Sequence, residues 1–168
     1  FPKSDEQLGE WDVNALAVKH ELFHGYRYLD RINEKPLFPF GFGLSYTEFS
    51  IKSVCISRKK GYFKLIASVE NVGKASGDCV VQLYVSCLNS KVDRAKKELK
   101  GFGRLSLRTN EEMNLEFEVS DTDLSYYDPE EGWVLETCLY SFALGFSSEN
   151  LPFSQTWSLD EGLWTNRS

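Results

Sequence analysis

The sequence predicts an all-β protein: a two-sheet sandwich of the immunoglobulin kind over residues 46–168, preceded by a short helical segment. Two patterns lead to this prediction. From Phe49 onward, apolar and polar residues alternate along several stretches, which indicates strands with one buried face. Asn, Gly, Pro and Asp separate these stretches at short intervals, as is typical of a sandwich built from many short antiparallel strands.

Residues 1–45 have a different organisation. The segment Val13–Ile32 lacks proline and has apolar residues at roughly helical spacing, although Gly25 interrupts it. The segment Pro36–Leu44 contains two prolines and two glycines, which argue against regular structure. Its aromatic residues need an apolar surface to pack on, so we predict a packed connector rather than a flexible linker.

Seven strands are predicted in the sandwich. Tyr62–Glu70 and Glu112–Ser120 alternate strictly, so each should bury one face. Asp78–Ser86 is apolar on both faces, which favours a central position in its sheet. The other predicted strands are Phe49–Ser57, Leu99–Leu107, Leu139–Phe146 and Leu151–Leu159.

Composition and charge exclude several classes of function. Hydrophobic residues make up 42% of the 168 residues, enough for a folded core. The net charge of −6 argues against nucleic acid as a partner, because such proteins present cationic surfaces to phosphate. The densest basic run, Arg94–Lys97, is interpreted as a solvated loop or edge strand. No stretch reaches the roughly 18–20 apolar residues of a membrane helix, so no membrane partner is expected.

The four cysteines leave their pairing open. Cys55, Cys79, Cys87 and Cys138 allow three pairings, and one or two disulfides or buried free thiols fit equally well. None has the C-x-x-C spacing of a redox pair or zinc knuckle. Asn166-Arg167-Ser168 is an N-glycosylation sequon. The compartment therefore stays open, with the secretory route favoured over the cytoplasm.

One motif points to metal chemistry. His20-Glu21-Leu22-Phe23-His24 is an H-E-x-x-H sequence, which on a helix can hold zinc between two histidines one turn apart. The chain has only these two histidines, and a sandwich follows where a zinc peptidase would supply its third ligand from a further helix. A small zinc peptidase is therefore a remote alternative, and no metal ligand is assigned.

Paired carboxylates are the residues that glycosidase chemistry requires, and the sequence offers three pairs. All lie in predicted turns at strand ends, where acidic residues are common for structural reasons. We therefore assign none of them a catalytic role. The pairs are Asp121 with Asp123, Glu111 with Glu112, and Glu130 with Glu131.

A third possibility is a stand-alone carbohydrate-binding module that stacks aromatic rings on sugar faces. Most aromatic residues of a sandwich pack in its core or along sheet edges, so this alternative depends on how many are exposed. The candidates are Tyr62, Tyr84, Tyr126, Tyr127 and Trp133.

A set of motifs resembles the C-terminal region of glycoside hydrolase family 3, which includes β-glucosidases and β-xylosidases. The motifs follow the family order at compatible spacing along nearly the whole chain. They are Gly25–Asp30, Pro36–Thr47, Val69–Gly73, Val80–Val85, Lys97–Phe102, Asp123–Asp128 and Leu144–Ser148.

The resemblance implies a fibronectin type III-like domain over residues 46–168 and, in residues 1–45, the end of the family's α/β domain with its connector. It further implies a β-glucosidase-type parent enzyme with a retaining mechanism, whose catalytic domains are the partners of this region and whose substrate is a β-glucoside. The family's nucleophile and acid/base motifs are not found in this sequence. No catalytic, cofactor-binding or metal residue is therefore assigned, and the chain alone is expected to be architectural and inactive.

The sequence departs from the family pattern at several positions. Val18 and His20 stand where the family often has a tyrosine and a glutamate, so no substrate-side role is assigned to that segment. Ala95 replaces a usual proline, and Thr109-Asn110-Glu111 replaces a common Pro-Gly-Glu turn, changes that should affect local stiffness more than function.

Overall fold

The structure is a computed structural model that describes residues 22–167. Two short helices and ten strands lie in this part of the chain. In chain order they are α1 (Tyr26–Arg31), β1 (Phe49–Lys59), β2 (Tyr62–Asn71), β3 (Gly77–Cys87), β4 (Glu98–Leu107), β5 (Glu112–Ser120), α2 (Asp121–Leu124), β6 (Tyr126–Asp128), β7 (Gly132–Val134), β8 (Leu139–Gly145), β9 (Phe153–Asp160) and β10 (Leu163–Asn166).

The strands form two packed sheets and a separate hairpin. One sheet has the order β1-β2-β5 and the other β10-β9-β8-β3-β4, while β6 pairs with β7. All pairings are antiparallel. A single core cluster takes buried side chains from both large sheets, such as Leu65 on β2 and Leu83 on β3. The predicted all-β two-sheet sandwich is therefore confirmed.

The alternation in β2 explains how the smaller sheet faces the core. Phe63, Leu65, Ala67 and Val69 are fully buried, and β2 is the middle strand of its sheet. Burial of each large apolar side chain stabilises the fold by about 1.5–3 kcal/mol. Strand β3, apolar on both faces, lies between β8 and β4, which confirms its predicted central position.

Three short strands were not predicted. Glu161 and Gly162 both adopt positive φ (49° and 80°), so they form the two-residue turn that pairs β10 with β9. Strand β10 brings Trp164 to 4.7 Å from the ring of Phe63, in edge-to-face contact. Strands β6 and β7 flank the predicted turn at residues 128–132, and only the turn itself was predicted from the sequence.

The helix is shorter than the predicted segment. Residues 13–21 lie outside the described residues, and residues 22–25 are not helical. Gly25 has φ 58° at the N-cap of α1, a left-handed conformation that a helix interior does not allow. Leu29 is the buried residue of this six-residue helix. No helix among the described residues has the length and apolar character needed to cross a membrane.

The structure resolves the cysteine question left open by the sequence. Cys87 and Cys138, which are 51 positions apart in the sequence, form a disulfide. Cys55, on the edge strand β1, is an exposed thiol, and Cys79 is a buried one.

The interpretation of residues 94–97 as solvated is wrong for Arg94 and for Ala95, which is buried. The segment is a loop, as predicted, but the Arg94 side chain is largely buried. Its guanidinium donates to the Leu124 carbonyl oxygen (3.2 Å) and lies 3.9 Å from the buried Glu136 carboxylate. A buried acid on a neighbouring loop therefore holds this cation inside the protein.

Candidate functional site

The connector is irregular, as predicted, and it is held in place by hydrogen bonds to the rest of the chain. The hydroxyl group of Tyr26 donates to the Phe38 carbonyl oxygen (3.2 Å), and the Ser148 amide donates to the Phe40 carbonyl oxygen (2.8 Å). Within the connector, the Phe42 amide donates to the Pro39 carbonyl oxygen (2.9 Å), which closes a turn. These bonds fix its path between helix α1 and the loop that follows β8.

Asn71 ties the end of the connector to the sandwich. Its side chain is fully buried and accepts hydrogen bonds from the Thr47 hydroxyl (2.6 Å) and the Gly73 amide (3.1 Å). Its amide group donates to the carbonyl oxygens of Ala75 (2.8 Å) and Leu107 (3.0 Å). A buried amide with all these partners links the connector, the β2–β3 turn and the end of β4.

Gly41 allows the connector to approach the sheet closely. It adopts φ 86°, and a Cβ atom at this position would lie 2.1 Å from Nε2 of Gln82. Only glycine fits both the conformation and the contact. Gln82 is itself buried and accepts a hydrogen bond from the hydroxyl group of Tyr84 (2.7 Å), so the connector packs on an ordered surface.

Although it is anchored, the connector leaves its apolar side chains exposed in the described residues. The sequence-based expectation that they would be packed is met only in part: Pro36 is buried, while Leu44 is 95% exposed. We call the exposed set the connector surface. It consists of Leu37, Phe38, Phe40, Phe42, Leu44 and Tyr46.

An apolar groove extends the connector surface onto the larger sheet. Its volume is about 360 Å³, and its walls are Phe40 and Gly41 on one side and Val80, Leu99 and Phe102 on the other. Phe102, on the edge strand β4, is 72% exposed. Connector and sheet therefore present one continuous apolar face.

Ion pairs hold the polar margin of this face. Nζ of Lys97 lies 3.4 Å from the Asp30 carboxylate and 2.8 Å from that of Glu149, so it links helix α1 to the loop after β8. Arg27 of the same helix lies 3.9 Å from Glu98. Helix α1 is thereby fixed beside the connector, and the face has a defined shape.

The aromatic candidates for sugar binding differ in exposure. Tyr84 is buried, and burial raises its pKa to about 12. Tyr62 and Tyr126 are half-buried. Tyr127 and Trp133, on strands β6 and β7, are exposed and face each other across the hairpin.

Comparison with known proteins decides what this arrangement belongs to. A family model described as a fibronectin type III-like domain matches residues 79–148. The thermostable β-glucosidase B of Acetivibrio thermocellus is 36% identical over 161 residues, which cover 93% of this chain and 20% of that protein. The β-glucosidase of Kluyveromyces marxianus is 37% identical over 157 residues, or 91% of this chain and 18% of that protein.

The chain corresponds to the C-terminal, fibronectin type III-like part of family 3 β-glucosidases. In the solved structure of the Kluyveromyces marxianus β-glucosidase with glucose, the match has a TM-score of 0.76 at 36% identity and covers 86% of this chain and 18% of that one. The β-D-glucoside glucohydrolase of Trichoderma reesei shares the fold, with a TM-score of 0.85 at 24% identity over 94% of this chain and 25% of its own. The chain spans about a fifth of the length of the curated relatives it matches.

The three acidic pairs of this family 3 chain have structural contacts. Asp121 pairs with Arg58 (2.7 Å), and Asp123 forms a capping box with Ser120. The carboxylate of Glu111 accepts from the Arg108 amide. The Ser68 hydroxyl donates to the Glu112 carboxylate, whereas Glu130 and Glu131 take part in the hairpin turn through their backbone amides, which donate to Asp128.

The H-E-x-x-H motif lies only partly within the described residues. His20 and Glu21 are outside them, and His24 is exposed just before α1. In the part of the chain that the structure describes, one cluster has metal-ligand atoms within 4.8 Å of one another, formed by Cys87, Glu136 and Cys138. Both of its sulfur atoms are in the disulfide, so this arrangement presents no thiolate ligand.

Glu136 and Asn71 organise the structure, and sequence reasoning missed both. The Glu136 carboxylate accepts from the Lys91 amide and from the Ser90 hydroxyl (2.8 Å), which fixes the loop between β3 and β4. Glu136 is only 7% exposed, although it follows the short strand β7 in a stretch with no alternation. The family motif Val69–Gly73 includes Asn71, and its place in that turn motif was the only signal the sequence offered.

Proposed function

We propose that this chain is an architectural part of a longer β-glucosidase, and that its connector surface packs against the catalytic domains of that enzyme. The proposal rests on one observation: the connector backbone is held in place, while its apolar side chains are exposed. Its backbone is anchored at Tyr26, Ser148 and Asn71, yet its large apolar side chains face solvent in the described residues. A contiguous apolar patch of this kind is typical of an interaction site.

The energetics favour a docking role. Each square ångström of apolar surface removed from water contributes about 25 cal/mol, so half-exposed Phe38, Phe40 and Phe42 have free energy still to gain on burial. Because the connector is already fixed, docking would cost little conformational entropy. A flexible tail with the same residues would bind more weakly.

The chemistry of the whole enzyme belongs to residues outside this chain. The relatives are named β-glucosidases, so the proposed parent activity is retaining hydrolysis of terminal β-D-glucosyl residues in carbohydrate catabolism. The chain's own acidic pairs are used in ion pairs, caps and turns, which supports a role that is structural rather than catalytic. We expect no β-glucosidase activity from the chain alone.

The test replaces connector aromatics in the full-length enzyme. Phe40→Ala and Phe42→Ala should each lower the melting temperature, because each removes apolar area from the proposed interface. The relative rates on different glucosides should stay the same, since specificity depends on the catalytic domains. Melting is measured by calorimetry and rates with aryl glucosides.

Leu163→Ala is the matched control, because Leu163 is an exposed apolar residue on β10 outside the connector surface. It should leave the melting temperature unchanged. Unchanged melting in both phenylalanine variants would contradict the docking role.

A further inference from the structure

The β6–β7 hairpin presents an ordered pair of exposed aromatic rings. Tyr127 and Trp133 are directly opposite in the register and are 62% and 65% exposed. Their ring centroids are 5.7 Å apart at an interplanar angle of 75°, an edge-to-face contact that fixes both rings. Among the described residues these two strands pair only with each other, so the hairpin is separate from the two large sheets.

The turn holds this aromatic pair rigidly. Oδ1 of Asp128 accepts hydrogen bonds from the amides of Glu130 (2.8 Å) and Glu131 (3.0 Å), and Gly132 completes the turn at φ 83°. The two amides lower the pKa of the Asp128 carboxyl group, which keeps it charged. The rings are thus organised before any ligand arrives, which reduces the entropy cost of binding.

A groove of about 690 Å³, lined by both apolar and polar side chains, lies against the two rings. Its hydrogen-bonding groups include Thr122, Asp123, Ser125 and Asp128. The structural bonds of Asp123 use its Oδ2 atom and those of Asp128 use its Oδ1 atom. Within residues 22–167, no hydrogen bond engages the second oxygen of either carboxylate, so both can accept from a ligand.

The charge of the groove selects against anionic ligands. Four of the lining residues are acidic and two are basic. Two of the acids are neutralised by cations: Asp93 pairs with Arg31 (2.9 Å), and Glu98 pairs with Lys100 (3.2 Å). The second basic residue of the lining, Arg94, pairs with Glu98 (3.5 Å) and with the buried Glu136 (3.9 Å), so Asp123 and Asp128 remain as the excess negative charge beside the rings. A purely apolar partner would also be unfavourable here, because it would desolvate these carboxylates without replacing their hydrogen bonds.

We propose that the hairpin and its groove form a binding site for a neutral oligosaccharide. The C–H groups on the flat face of a pyranose ring are weakly positive and are attracted to the negative face of an aromatic ring. The hydroxyl groups of the sugar can donate hydrogen bonds to carboxylates beside the aromatic rings, and the negative charge of a carboxylate strengthens such bonds. Trp133 and Tyr127 supply the first kind of contact, and Asp123 and Asp128 the second. The site shares no residue with the connector surface, so it does not depend on the proposed docking role.

The experiment measures binding of cellopentaose to the 168-residue chain by isothermal calorimetry, up to about 5 mM sugar. The chain should bind, and Trp133→Ala and Tyr127→Ala should each weaken binding about tenfold or more. Trp133→Phe keeps a ring at the position and should restore part of the affinity. Leu163→Ala changes an exposed residue elsewhere and should bind like the unaltered chain. A galacturonate oligomer of equal length is anionic and should bind more weakly than cellopentaose.

Three results of this experiment would contradict the proposed site or its ligand. No detectable binding by the unaltered chain would overturn the proposal, as would equal binding by the chain and the two alanine variants. Tighter binding of the galacturonate oligomer would overturn the charge argument and the choice of ligand with it. Thermal melting of each variant verifies that the sandwich is folded during the measurement.

Discussion

At the residue scale, single buried polar groups connect the turns of this sandwich. Asn71 links the connector, the β2–β3 turn and the end of β4 through one side chain. From the sequence, Asn71 was a turn residue of a family motif, and nothing in the strand pattern indicated that it would be fully buried. Periodicity identifies which apolar residues face the core, but it cannot identify a polar residue whose burial depends on distant backbone groups.

The first residue-scale prediction concerns Asn71→Ala. The substitution leaves the Thr47 hydroxyl, the Gly73 amide and two carbonyl oxygens without their partner, so the free energy of unfolding should fall by about 2–4 kcal/mol. Urea denaturation measures the change. Asn114→Ala, at an exposed position on β5, should alter stability by less than about 0.5 kcal/mol. Equal effects of the two substitutions would show that the buried network is not stabilising.

The second residue-scale prediction concerns alkaline pH. Burial raises the pKa of the Cys79 thiol from 9.0 to about 11. Above about pH 9 the unfolded chain loses this proton while the folded chain keeps it, so the free energy of unfolding should fall as the pH rises toward 11. Below pH 8 the thiol is protonated in both states and contributes no pH dependence.

Cys79→Ala should make the decline in stability between about pH 8 and about pH 10.5 shallower, as measured by urea denaturation at each pH. Cys55→Ala is the matched control, because Cys55 is an exposed thiol and its removal should leave the slope as it was. A slope unaffected by Cys79→Ala would mean that other groups, such as Tyr84 with its pKa raised to about 12, cause the decline.

At the element scale, all seven predicted strands are present, with ends within about two residues of their predicted positions. Their apolar patterns, strictly alternating in β2 and β5 and apolar on both faces in β3, were long enough to predict. The three strands that were missed have three or four residues each, too short to establish a period of two. The prediction continued the helix through Gly25 because the apolar spacing does. In the structure, Gly25 has a positive φ, so α1 begins at the next residue, Tyr26.

The loop after β8 provides the element-scale prediction. A Cβ atom on Gly145 would lie 1.8 Å from the Asn150 carbonyl oxygen, which also accepts from the Phe146 amide. Gly145→Ala must therefore displace this loop and should lower the free energy of unfolding by about 1–3 kcal/mol. Because Ser148 in the same loop anchors Phe40, the connector should become more mobile as well.

Thermal denaturation and amide hydrogen exchange at Ser148 measure these two effects. Gly43→Ala is the control, since a Cβ atom at Gly43 meets no atom within 4 Å. The expected result is faster exchange at Ser148 in Gly145→Ala alone. Faster exchange in both Gly145→Ala and Gly43→Ala, or in neither, would contradict a specific role for the close contact between Gly145 and Asn150.

At the scale of the whole molecule, the sequence motifs predicted the family and the sandwich, and both are confirmed. The boundary at residue 46 and the assignment of residues 1–45 to a preceding domain stay predictions. The exposure of the connector could not be predicted from the sequence. Hydrophobic residues predict that a segment is buried, but they do not show which surface covers it. Its aromatic residues, such as Phe40 and Phe42, are ordered by the sandwich yet not covered by the described residues.

The measurement that tests the docking role most directly is hydroxyl-radical footprinting of the isolated chain and the full-length β-glucosidase, read by mass spectrometry. If the connector surface packs on the catalytic domains, Phe38, Phe40 and Phe42 are oxidised several-fold more slowly in the full-length enzyme, while Leu163 is oxidised equally in both. Equal oxidation of the three phenylalanines in the two proteins would mean that the connector surface remains in solvent, and that the chain does not pack on the catalytic domains through it.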